Sequence, residues 1–125
     1  MSRVPGNRHL ILPDLHDSAR QLQHMVIYNV TIKVEWSIHE HWLRWMKDVH
    51  IPEVLGTEMF YKYQLVRLLE VDDTDGPTFA VQYYAKNLAD YNFYIKEFSS
   101  SLRQKSYDKW GNKFVAFRSA MEVVH

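Results

Sequence analysis

The chain contains no cysteine. That excludes disulfides, a thiolate nucleophile, iron–sulfur clusters and cysteine-based zinc sites, and nothing ties the chain to an oxidising compartment. It has no net charge either: fifteen basic residues balance fifteen acidic ones. The bulk attraction on which nucleic-acid and anionic-membrane binders rely is therefore missing, and neither is expected as a partner. No apolar run approaches the ~20 residues needed to span a bilayer; stretches such as Leu10 to Leu12 and Met25 to Tyr28 are far shorter. The segment before Met25 lacks the apolar core of a secretory signal and carries Asp14 and Asp17 where one would be greasy. A cytosolic location is the expectation. Gly-rich phosphate loops and the Gly-x-Ser-x-Gly elbow are also absent.

What is present is the composition of an ordinary globular domain, with 46% apolar and 24% charged residues over 125 positions, enough for one core. Residues 1–24 hold Pro5, Gly6 and Pro13 with no sustained period, and read as a flexible N-terminal extension to a domain at 25–125. From Val26 to Val34 apolar residues alternate strictly, which predicts a half-buried strand. Ser37 followed by Glu40 has the spacing of a capping box. After it Ile38, Trp42, Trp45, Met46 and Val49 form a helical stripe. Pro52 should end or kink that helix at Ile51, with one more turn before Gly56.

Strand patterns at about Met59 to Val71 and Thr78 to Ala85 flank an Asp-Gly turn at Asp75-Gly76, so a hairpin is expected. Asn87 can cap a second helix carrying Leu88, Tyr91, Ile95, Phe98 and Leu102 on one face. The run Ser99 to Ser101 weakens its middle and permits a break. Lys113 to Val124 alternates again and predicts the last strand. The order strand, helix, strand, strand, helix, strand is the split βαβ unit, an α+β fold with a four-stranded antiparallel sheet and two helices on one face. The other face would be left bare, and a homodimer through it would bury its apolar groups.

Candidate site residues follow from the alternation. If Val26, Tyr28 and Val30, then Phe79, Val81 and Tyr83, and finally Val115, Phe117 and Met121 face the helices, the open face carries Asn29, Thr31, Gln82, Tyr84, Arg118 and Glu122. Amides, a phenol and a guanidinium in an apolar cavity suit a small ligand bearing a carboxylate or carbonyl, with Arg118 as a bidentate fork. The competing reading of those residues is a polar network between Arg118 and Glu122, or across a dimer, that only sets register. His50, expected at a helix end, is the candidate catalytic acid–base group, and the helix dipole there would favour its protonated form. His39 and His41 point to opposite sides of a helix and are not expected to hold a metal. Asp72, Asp73 and Asp75 lack the spacing of a calcium loop and read as a turn. Arg103, Lys105, Lys109 and Lys113 complement the end of the second helix, while Trp42 and Trp45 read as core.

Four segments carry a family likeness: Ile27-Tyr28-Asn29-Val30-Thr31, Trp45-Met46 followed by His50-Ile51-Pro52, Phe79-Ala80-Val81-Gln82-Tyr83-Tyr84, and Lys113-Phe114-Val115-Ala116-Phe117-Arg118. In order and spacing they resemble the bacterial domain of unknown function 4286. The resemblance implies a ferredoxin-like fold of the dimeric α/β barrel kind and brings no established catalytic residues or cofactor. The function expected is a homodimeric module that binds a small organic ligand in the barrel. The alternative is a cofactor-independent oxygenase or isomerase using the same pocket.

Overall fold

The strict alternation after Met25 becomes strand β1 (Val26–Val34), every second side chain of which is buried. The computed structural model describes residues 25–125; the extension expected at 1–24 lies outside the described residues. After β1 the chain turns through Trp36 and enters helix α1 (His39–Trp45). The capping box does not form: Ile38 occupies the N-cap without a side-chain bond, and the Ser37 hydroxyl is turned back to the Glu35 carboxylate at 3.5 Å. The bend is held instead by the Trp36 indole, which donates to the Asp73 carbonyl at 2.9 Å.

Pro52 does not end the helical stretch, which continues for the expected further turn to Gly56. Residues Met46–His50 form a π-helical turn, and α2 (Ile51–Leu55) continues to Gly56. An α-turn here would require from Pro52 an N–H to Asp48 that it lacks, with its ring against that carbonyl. The wider turn avoids the demand, and the Ile51 N–H reaches back five residues to Met46. The extra residue moves the buried stripe one place along. Val49, expected inside, is exposed, and Ile51 and Val54 are buried in its stead.

Strand β2 (Lys62–Arg67) is shorter than its apolar pattern. Glu58 and Glu70, with φ of 66° and 58°, turn the chain out of extended geometry on either side of it. Strand β3 (Thr78–Ala85) follows. Gly76, at φ 157°, passes so close to the end of β1 that a Cβ would lie 1.7 Å from the Val34 carbonyl oxygen, so no other residue fits there. The second helix is broken as the serines allow, into α3 (Leu88–Glu97) and α4 (Ser99–Trp110) with Phe98 between them. Asn87 caps α3 by accepting the Asp90 N–H at 2.8 Å. Strand β4 (Phe114–Glu122) closes the domain.

The strands pair antiparallel in the order β2-β3-β1-β4. With the helical segments packed on one face, this is the ferredoxin-like α+β arrangement. The core between the layers is rich in rings. Tyr28, Phe60, Tyr83 and Tyr94 pack with centroids 4.8 to 6.1 Å apart, separations at which aromatic pairs add to their buried area. Among the described residues no helix is long and apolar enough to cross a membrane.

Candidate functional site

The site follows from the phase of β4. In the β1–β4 ladder Val30 pairs with Arg118, Ile32 with Ala116 and Val34 with Phe114, and directly paired residues share a face. Since Val30, Ile32 and Val34 are buried under the helices, Phe114, Ala116 and Arg118 point to the helix side. Glu122, paired with Val26, falls on that side of the ladder too, at the exposed end of the strand. This corrects the expected faces: Val115, Phe117 and Met121 lie on the open face, 55%, 69% and 39% exposed. Asn29, Thr31, Gln82 and Tyr84 do lie on the open face, but Arg118 and Glu122 do not join them. The reason is physical: alternation sets the period of a strand, and on an edge strand partly beyond helix cover the apolar side need not be the buried one.

On the helix side Arg118 meets a partly open cavity of ≈ 40 Å³, whose lining includes Tyr28, Tyr94, His50, Arg103, Ser106 and Arg118. Arg103 reaches it from α4, with Nη2 3.5 Å from the Tyr28 hydroxyl. Its Nε is buried with no hydrogen-bond partner, as is Nδ1 of His50. No carboxylate belongs to the lining. A volume of this size admits roughly three water-sized groups.

His50 is the last residue of the π-turn and lies within a continuing helix. The expected protonation by a helix end is overturned. Burial lowers its pKa from 6.5 to about 4, the nearby Glu53 opposes the shift, and Arg118 and Lys105 add to it. The ring is neutral at pH 7 and stacks on Trp45 with centroids 4.9 Å apart. Trp45 in turn meets Trp110 edge-on at 5.9 Å. Beside them Lys105 Nζ binds Glu53 Oε2 at 2.6 Å, joining α4 to α2. Burial also pushes the Tyr83 and Tyr94 hydroxyls up, so both stay protonated.

The remaining candidates scatter. On the open face Asn29 Nδ2 donates to Thr31 Oγ1 at 3.0 Å, and Lys62 Nζ lies 4.5 Å from the Tyr84 ring centre. The Asp72 carboxylate accepts from the hydroxyl and the N–H of Thr74, bonds that hold its pKa low and close a local turn. Lys113 approaches Glu35 at 3.9 Å, and Lys109 lies over the Trp110 ring. Among the described residues no group of three or more His, Asp or Glu is placed to hold a metal ion. Sequence reasoning missed Arg103 as a lining residue. The available signal was its place next to Leu102, which the helical stripe sends into the core.

Residues 25–124 match the family described as a domain of unknown function, DUF4286. The chain belongs to the DUF4286 family. Its fold is shared with solved structures of low sequence identity. One is a conserved protein of unknown function from Bacteroides thetaiotaomicron, described as a possible oxidoreductase, with a TM-score of 0.58 at 15% identity over 81% of this chain and 99% of that one. Another is a dimeric ferredoxin-like protein from an uncultured marine organism, with a TM-score of 0.60 at 11% identity over 81% and 95%. A third is an EthD-like protein from Ralstonia eutropha, with a TM-score of 0.59 at 12% identity over 82% and 95%. These likenesses extend to the fold of the DUF4286 domain. Comparison with curated protein sequences finds no match.

Proposed function

We propose that this DUF4286 domain is a homodimeric, cytosolic module that binds a small organic ligand in the cavity between its helices and β1 and β4. One observation carries the ligand reading: two residues of the cavity lining each hold a buried nitrogen with no hydrogen-bond partner, Nδ1 of His50 and the Nε donor of Arg103, and Arg118 lines the same cavity. Buried polar groups left unpaired cost free energy that a ligand can recover. The candidate set thereby changes membership. Arg118 stays as a ligand-binding residue, Arg103 and Tyr94 join it, and Asn29, Gln82 and Tyr84 become contacts of the sheet face.

The dimer reading rests on the open face. Val115, Phe117 and Met121 expose apolar side chains on the open side of β4, with Met121 opposite Ile27, and a lone domain would leave them in water. A neighbour of the same fold is described as dimeric, in keeping with that reading. The alternative of a cofactor-independent oxygenase or isomerase is favoured by the neutral imidazole of His50 within the cavity, the form that accepts a proton. Native mass spectrometry on protein purified gently from its own host reads assembly and ligand together. A dimer carrying a small-molecule adduct is expected; a bare monomer would sink both readings.

A further inference from the structure

We propose that the cavity is a proton-coupled oxyanion site, in which a small carboxylate seats between Arg103 and Arg118 and His50 takes up a proton from solvent as the anion arrives. The proposal rests on the ligand-binding reading above and adds the ligand's charge and its dependence on pH.

Charge is the first argument. Two guanidiniums contribute to the lining, one from α4 and one from β4, and no carboxylate does. In a partly buried space an opposite charge is worth more than in water. Geometry is the second. Arg103 Nε is a buried donor without an acceptor; Arg118 presents further donors, and protonated His50 would donate from both ring nitrogens. An oxyanion, with several lone pairs on two oxygens, can accept from donors on different sides, whereas a neutral carbonyl offers one oxygen. The volume of ≈ 40 Å³ suits a carboxylate with little attached.

Coupling follows from what surrounds the imidazole. Glu53 on α2 favours the charged ring, Arg118 on β4 and Lys105 on α4 oppose it, and burial opposes it most. Glu53 is itself engaged by Lys105 at 2.6 Å. Arg118 is the charge in this set that an incoming anion would oppose. An anion within about 4 to 6 Å raises a histidine pKa by roughly one to three units. Proton and anion then strengthen each other's binding reciprocally, and affinity falls as pH rises through the raised value.

The test uses the whole chain, with formate as the probe, formamide as its neutral counterpart and sodium chloride at equal ionic strength as the control. The imidazole nitrogen and carbon resonances of His50, assigned by their loss in His50→Gln, are followed by NMR from about pH 3 to pH 8, a range that spans both the buried value of about 4 and the ordinary histidine value. Formate is expected to raise the His50 midpoint by at least about one unit, while formamide and chloride leave it unmoved. Arg118→Gln, shown to be folded by its own spectrum, should abolish most of that response. If formate shifts the resonances of cavity residues yet the His50 midpoint stays put, the coupling is wrong and the pocket stands. If formamide perturbs the cavity as strongly as formate, the anion preference is wrong. If neither perturbs it, the ligand-binding reading falls as well.

Discussion

Strands β1 and β4 are neighbours in the sheet, yet β1 turns its apolar side to the helices and β4 turns three of its four large apolar residues away from them. In β1 the branched and aromatic residues, Val26, Tyr28, Val30, Ile32 and Val34, are buried. In β4 Val115, Phe117 and Met121 face away, and the helix side carries the buried Phe114 followed by Ala116, Arg118, Ala120 and Glu122. The difference teaches that an edge strand can face its apolar side outward when a second surface covers it. Beyond Phe114 the inward side of β4 then carries small and charged residues, of which Ala116 and Arg118 line the cavity.

The comparison breaks most sharply under a charge placed on each apolar set. Ile32→Asp buries an unpaired carboxylate between Phe79 and Ala116 and should cost on the order of 4 kcal/mol or more, seen as loss of the cooperative unfolding transition. Phe117→Asp should leave the fold intact, because that ring is 69% exposed in a single domain, and, if the proposed dimer forms through this face, should give a monomer in light scattering. If Phe117→Asp unfolded the chain while Ile32→Asp did not, the two faces would have been assigned the wrong way round.

The inward side of β4 also makes a smaller, pH-dependent prediction through His50. In the unfolded chain the imidazole titrates at 6.5; in the folded protein burial holds it at about 4. Between these values the unfolded state binds the proton and the folded state does not, so falling pH favours unfolding. The penalty is absent above pH 6.5, grows as pH falls from 6.5 to about 4, and is constant below. At about 1.4 kcal/mol per unit it amounts to no more than about 3 kcal/mol. Urea melts of wild type and His50→Gln should diverge in slope across that window and run parallel above it. Parallel melts throughout would mean that the imidazole is solvated.

Much of the fold was legible because its signals are local. The alternation of β1, the Asn87 cap, the weak serines before α4 and the turn at Gly76 each act within a few residues. The site was less legible because it depends on contacts between elements. The phase of β4 is decided by which side the helices cover, and the inward turn of His50 by a π-turn that an isolated proline does not announce. Arg118 was identified as a residue of interest but placed on the wrong face, and Arg103 was read only as a charge near a helix end. Both errors concern which surface a side chain meets, which periodicity within one element cannot decide.

The smallest predicted effect compares two helix starts that look alike in sequence. Asn87 and Ser37 each precede a helix with a polar side chain suited to the N-cap. Asn87 accepts the Asp90 N–H at 2.8 Å from an extended backbone conformation, the geometry in which a cap satisfies an otherwise unpaired donor. Ser37 makes no such bond; Ile38 stands at the cap of α1, and the hairpin loop holds the entry through the Trp36 indole on Asp73. Asn87→Ala should therefore cost about 1 kcal/mol, and Ser37→Ala less than about 0.5 kcal/mol, as for an ordinary surface change. Equal losses in denaturant titration would show that Ser37 caps α1 in solution. A negligible loss at Asn87 would show instead that tertiary packing of Tyr91 and Tyr94 on Tyr28 holds the start of α3 without its cap.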